Sequence, residues 1–218
     1  MRFEDRTHAG RILAERLGKY ANRSDVLVLA LPRGGVPVGF EVARELHVPL
    51  DVFVVRKLGF PGHEEYAMGA IASGGTRVMN PDVARLQIPE RTVEMVVARE
   101  AGELARRERL YRGERPLPRL EGRMVILVDD GLATGSTMRA AVMAARARHP
   151  AQVVVAVPVA AAETCSALRR DADEVICVST PQPFHAVGLW YADFRQTTDD
   201  EVRQFLDQAA RMREQERE

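Results

Sequence analysis

Charge of one sign, cysteine and long apolar runs are all scarce in this sequence of 218 residues. Lysine plus arginine and aspartate plus glutamate stand at 31 each, so no net field draws the chain toward nucleic acid or an anionic membrane. Only two cysteines occur, Cys165 and Cys177, without further ligand spacing around them. They give no metal framework, and both are expected as buried thiols in a reducing compartment. No run approaches the ~20 apolar residues that span a bilayer, and the charged start Met1–Gly10 has no apolar signal core, so no membrane partner is expected and the cytoplasm is the expected address. Internal repeats and low-complexity segments are missing as well. The hydrophobic share of 46% is enough to bury one substantial core.

The apolar residues fall in short runs that alternate with helix-length amphipathic stretches. Val26–Leu31, Val52–Val55, Met124–Val128, Val153–Val157 and Val175–Val178 are rich in valine, isoleucine and leucine without polar alternation, as strands buried on both faces are. Helices are expected at Val36–Leu46, Ser136–Arg148 and Ala161–Arg170, with packing helices at Arg6–Tyr20 and Asp199–Met212. The pattern predicts an α/β fold, Rossmann-like, with a parallel sheet covered by helices on both faces. One domain over residues 1–218 is expected, with a core at about 20–180, a helical insertion at about 80–115 and a C-terminal segment at about 180–213. In the insertion, Pro89–Arg112 places Val93, Val96, Val97, Ala101, Leu104 and Ala105 on one stripe. Its interleaved charges read as a solvated face.

The chemistry concentrates in Val125–Thr137. An apolar strand ends in Asp129 and Asp130, followed by Gly-Leu-Ala-Thr-Gly-Ser-Thr and an alanine-rich helix. At the carboxyl edge of a parallel sheet such a loop turns backbone N–H groups toward one point, and the helix dipole adds positive potential there. That is a phosphate cradle. Gly135 permits close backbone approach, and the hydroxyls of Thr134, Ser136 and Thr137 can donate. Two adjacent carboxylates would repel a bare phosphate, so they call for a cation or sugar hydroxyls beside it. An ordinary strand-to-helix turn with an aspartate cap accounts for Ser136 or Thr134 but not for two acids at a strand end. The segment is not a Walker loop, which needs a lysine after its last glycine.

The strand, acidic pair, spacer and Thr-Gly-Ser-Thr together resemble the phosphoribosyl pyrophosphate (PRPP) motif of the type I phosphoribosyltransferases. The resemblance implies that Asp129 and Asp130 hold the ribose hydroxyls and Mg2+, and that Ala133, Thr134, Gly135, Ser136 and Thr137 cradle the 5′-phosphate. Leu31-Pro-Arg-Gly-Gly resembles the family's pyrophosphate loop, with Arg33, Gly34 and Gly35 as ligands and a non-proline cis peptide expected at Pro32–Arg33 or Arg33–Gly34. Arg56 and Lys57 end the second strand and are expected to neutralise pyrophosphate charge. Leu58–Met68 after them resembles the family's mobile loop and carries His63, Glu64 and Glu65, for each of which surface solvation is the plainer role. The C-terminal segment is similar in placement to the hood that encloses the base in purine phosphoribosyltransferases. Phe184, Val187, Trp190, Tyr191 and Asp193 are its base-binding candidates, with Trp190 packing the C-terminal helix as the alternative.

The family reading implies magnesium-assisted transfer of the phosphoribosyl group from PRPP to a nitrogenous base, within nucleotide salvage, with release of pyrophosphate. Ala133 stands where the hypoxanthine-guanine branch carries an acid, so a general base must come from Glu64, Glu65 or Asp193. Two other outcomes stay open: a non-catalytic PRPP sensor and a hydrolase of PRPP or phosphate esters. Nucleic acid is not an expected partner, because Glu108, Glu114 and Glu121 interrupt the arginines of Arg106–Arg123. A homodimer is left open.

Overall fold

Apolar strands that alternate their side chains between two helical layers set the architecture. The computed structural model describes residues 1–60, 63–80 and 88–215, with the backbone alone for 63–66. Five parallel strands form the main sheet: β1 (Val26–Ala30), β2 (Leu50–Val52), β6 (Met124–Val128), β7 (Gln152–Val159) and β8 (Glu174–Ser179), in the order β2-β1-β6-β7-β8. Leu27, Leu29, Val125, Leu127, Val153 and Val155 face α4 (Ser136–Arg146) and α5 (Ala162–Leu168). Val26, Val28, Ile126, Val128, Val154 and Ala156 face α1 (Arg6–Arg16) and α2 (Gly35–Leu46) on the other side. The near-continuous apolar runs follow from this double burial.

A second sheet of three antiparallel strands was not expected. It consists of β3 (Val55–Phe60), β4 (His63–Ala72) and β5 (Thr76–Met79). The expected strand Val52–Val55 is therefore divided: β2 closes at Val52, and the chain crosses to the second sheet through Phe53 and Val54. Ala30 holds the Phe53 amide at 2.9 Å, and Ser73 Oγ accepts from the Val54 amide at 3.0 Å. Most of the segment expected as a loop, Leu58–Met68, lies in the two arms of this hairpin, which pair through Leu58, Gly59 and Phe60 with register shifts after Leu58 and Gly59.

The insertion is a helix as expected, α3 (Glu90–Arg112). Val93, Val96 and Leu104 are buried with Leu58, Met68 and Ile71 of the hairpin and with Val202 and Leu206 of α6 (Asp199–Gln215). Each such side chain contributes on the order of 1.5–3 kcal/mol relative to exposure. Glu100 is also buried in this packing, where Arg56 donates to it at 2.8 Å. Arg112 is buried too, held by Asp51 at 3.1 Å and by the Val52 carbonyl at 2.9 Å. The cysteines correct the sequence reading: Cys165 of α5 and Cys177 of β8 are joined in a disulfide rather than free thiols. Their segments pack against each other, which brings the two sulfurs together. Among the described residues no helix is long and apolar enough to cross a membrane.

Candidate active site

The site grows from the ends of two neighbouring strands. β1 and β6 pair in parallel and finish level, Ala30 opposite Val128, and the Leu31 amide continues the ladder to the Val128 carbonyl at 2.8 Å. Two loops therefore leave the sheet side by side, 31–35 and 129–135. The first is built for contact with the second. A Cβ on Gly34 would lie 2.0 Å from Asp130 Oδ2, and one on Gly35 would lie 2.7 Å from the Val128 carbonyl oxygen. Glycine at both positions lets the backbone reach the acidic pair. The Pro32–Arg33 peptide is cis, the first of the two positions the sequence offered.

Asp129 Oδ1 accepts from the Asp130 amide at 2.9 Å. Burial first, and then the neighbouring Asp130 charge, push the Asp129 carboxyl well above the usual carboxylate range. Asp130 is also raised by burial, against the pull of Arg6, whose Nε donates to Oδ2 at 2.8 Å. Arg6 belongs to the first turn of α1, which starts there because Asp5 caps the His8 amide at 2.8 Å. Its guanidinium lies 4.0 Å from the Phe194 ring centroid and reaches the Arg195 carbonyl. Nothing in the sequence links position 6 to position 130, so this partner was missed.

The loop expected to cradle a phosphate lies beyond the acids. Gly135 adopts a left-handed φ of 69° and hands the chain into α4. The first-turn amides of a helix have no partner within it and are free to meet an anion. Ala133, Thr134, Ser136 and Thr137 are exposed around this point. From behind, Thr164 of α5 donates to the Ala133 carbonyl at 2.6 Å, and its methyl would meet a Cβ on Gly135 at 2.5 Å. Lys57 reaches this side of the site, with Nζ 3.3 Å from Ser136 Oγ. Arg56 turns the other way, to Glu100.

On the opposite side of Asp130 opens a cavity of about 430 Å³, bordered by Arg6, Arg33, Arg106, Arg107, Tyr111 and Asp199 among others. Arg33 lies 3.6 Å from Asp199, and Tyr111 donates to the same carboxylate at 2.6 Å. Arg106 and Arg107 lie on the solvated face expected of the insertion, both paired with Glu103, and that face also borders this cavity. Glu64 and Glu65 lie in β4, and their side chains fall outside the described part of the structure, as does that of His63.

A model of the phosphoribosyl transferase domain matches residues 5–191. This chain belongs to the phosphoribosyltransferase family. A Mycobacterium tuberculosis H37Rv protein provisionally named a phosphoribosyl transferase is 49% identical over 211 residues, covering 96% of this chain and 47% of the relative. The chain thus spans about half the length of the curated relatives it matches. The crystal structure of TT1426 from Thermus thermophilus superposes with a TM-score of 0.87 at 46% identity, covering 94% of this chain and 98% of that one. The AQ2163 protein of Aquifex aeolicus, 14% identical, shares the fold at a TM-score of 0.52 over 84% of this chain and 78% of that one.

In this chain the hood differs from the open aromatic slot expected. Tyr191 is buried, and its hydroxyl donates to the Asp130 carbonyl at 2.5 Å. Phe184 and Trp190 pack with Phe3, Val159 and Tyr191, so Trp190 braces the N-terminal segment rather than the C-terminal helix. Phe3 ties that segment to the hood, its amide donating to the Trp190 carbonyl at 2.8 Å. Val187 packs at Gly131 beside the acidic pair, where an added Cβ would meet it at 2.5 Å. Asp193 is held by Arg195 at 2.7 Å. The contacts joining positions 2–4 to 190–193 are long-range, which is why the sequence assigned these aromatics to a ligand.

Proposed function

We propose that this chain binds PRPP with magnesium and transfers its phosphoribosyl group to a nitrogenous base, releasing pyrophosphate. The observation that carries the proposal is the contact of Gly34 and Gly35 with the acidic pair, which sets two anion-binding loops on either side of two carboxylates. In this reading Ala133–Thr137 hold the 5′-phosphate, Asp129 and Asp130 accept from the ribose hydroxyls, and Arg33 with the Gly34 and Gly35 amides receives the pyrophosphate. Lys57 adds charge at the cradle edge.

The acidic pair fits magnesium. Two hard oxygen donors, one with its carboxyl raised by burial and then by its neighbour's charge, suit an ion that draws its remaining ligands from substrate oxygens and water. Bound there, magnesium would neutralise charge on the departing pyrophosphate. The chain's own residues align C1′ with the acceptor, and catalysis is positional and electrostatic. The cytoplasmic address and a homodimer belong to the same proposal.

A second reading, PRPP binding without transfer, draws support from Arg56, which is bound to Glu100, and from Ala133 in place of an acid. Incubation with PRPP, magnesium and a panel of purine and pyrimidine bases, following pyrophosphate, separates the readings. Base-dependent release is expected. Release without any base points to hydrolysis, and none with any base to a sensor. In calorimetry, replacing Asp129 and Asp130 together by asparagine is expected to weaken PRPP at least ~100-fold, about 2.7 kcal/mol. Unchanged affinity removes the PRPP assignment.

A further inference from the structure

Of the three cations that the sequence assigns to pyrophosphate, only Arg33 borders the cavity beside the cis peptide loop. Arg56 is bound to Glu100, and Lys57 is at the phosphate cradle. The positions they leave are supplied from elsewhere. Arg106 and Arg107, on adjacent positions of α3, border the same cavity as Pro32, Arg33, Gly34 and Asp130. Resting on the PRPP reading above, we propose that the inserted helix α3 completes the pyrophosphate end of the site, with Arg106 and Arg107 as ligands of its outer phosphate.

Charge supports this role. The cavity lining carries four guanidinium groups, those of Arg6, Arg33, Arg106 and Arg107, against the two carboxylates of Asp130 and Asp199. Glu103, one turn earlier on α3, accepts from Arg106 at 2.8 Å and from Arg107 at 2.7 Å. One carboxylate thus orients two guanidiniums and leaves them a surplus positive charge, which suits a doubly charged phosphate that can accept from both. Asp199 connects the two sides: it faces Arg33 of the pyrophosphate loop and receives the Tyr111 hydroxyl of α3. At 3.6 Å and partly exposed, the Arg33–Asp199 pair is weak enough for an entering phosphate to replace Asp199 as the partner of Arg33. The assignment also gives a task to an insertion whose apolar stripe explains its packing but not its arginines.

The test uses calorimetry on the full chain with two ligands, inorganic pyrophosphate with magnesium and ribose 5-phosphate. Replacing Arg106 and Arg107 together by alanine is expected to weaken pyrophosphate about 10-fold while ribose 5-phosphate stays within about twofold. Unchanged pyrophosphate affinity overturns the assignment. So does an equal loss for both ligands, which marks a damaged fold rather than a lost contact. Arg106→Ala alone removes a largely exposed side chain; it keeps the question answerable if the double variant fails to fold, and about threefold weaker pyrophosphate is expected. A wild-type chain that binds neither PRPP nor pyrophosphate would remove the underlying functional reading. Normal PRPP binding with pyrophosphate indifferent to both arginines removes only the role of α3.

Discussion

The two sides of Asp130 are built in opposite ways. On the cradle side, Asp129 to Thr137 run contiguously from strand to helix, and backbone amides and hydroxyls are the groups on offer. On the cavity side, Arg6, Arg33, Arg106, Tyr111 and Asp199 come from α1, the β1–α2 loop, α3 and α6, and guanidinium groups predominate. A contiguous site needs one strand and one helix to form. An assembled one needs the whole molecule folded around it, so the cavity side should be the more sensitive to distant change.

Gly35→Ala is expected to have the largest effect on this contrast, because its Cβ would meet backbone atoms, the Val128 carbonyl oxygen and Asp129 Cα, that have little room to yield. A loss of about 1–3 kcal/mol in chemical denaturation is expected, with PRPP weakened more than tenfold in calorimetry. Unaltered pyrophosphate binding in this variant would break the idea that contact between the loops shapes the cavity side.

Asp129→Asn comes next, with opposite effects on binding and stability. The folded state raises the Asp129 pKa above its unfolded value of 3.8, so the ionised group costs stability as pH rises from there through the folded pKa. The asparagine variant should be the more stable at pH 7, with Tm up by on the order of 2–4 °C per kcal/mol, and the difference should vanish below about pH 4. Its Oδ1 can still accept from the Asp130 amide, while binding of PRPP with magnesium weakens by roughly tenfold. A scan showing equal Tm values across that range would contradict the electrostatic account.

The smallest effect is expected on the cradle side. Thr164→Val keeps the methyl group beside Gly135 and removes the hydrogen bond to the Ala133 carbonyl. About 1 kcal/mol, or roughly fivefold in ribose 5-phosphate affinity, is the expected scale, with pyrophosphate binding unchanged. A larger loss for pyrophosphate than for ribose 5-phosphate would invert the comparison.

The same contrast explains what could be read in the sequence. The strands of the main sheet were legible because burial on both faces leaves no polar alternation, and the cradle because its residues are consecutive. The β3–β4 hairpin was not, since Val55–Phe60 holds two cations and a glycine in six residues and carries no clear strand period. Arg6 and Arg106 looked like surface residues of amphipathic helices, which by spacing alone they are. Pairing across 124 positions, as between Arg6 and Asp130, leaves no local trace. The hood aromatics were visible as a cluster, but whether they faced a ligand depended on Phe3, far away in sequence. For the cysteines, spacing gave no indication that α5 and β8 would bring the two sulfurs together.

The level ending of β1 and β6 has a mechanical consequence. Each loop is positioned by counting residues along its own strand, and Ala30 opposite Val128 makes the two counts agree. One residue added to either strand would offset the two rims by about 3.3 Å and turn the side chains beyond it to the other face. Both motifs would survive as letters, yet Gly34 would no longer meet Asp130. The alignment of two strands is thus as much a part of the site as any side chain in it, and a deletion or insertion within Val26–Ala30 should abolish function more completely than most substitutions in the loops themselves.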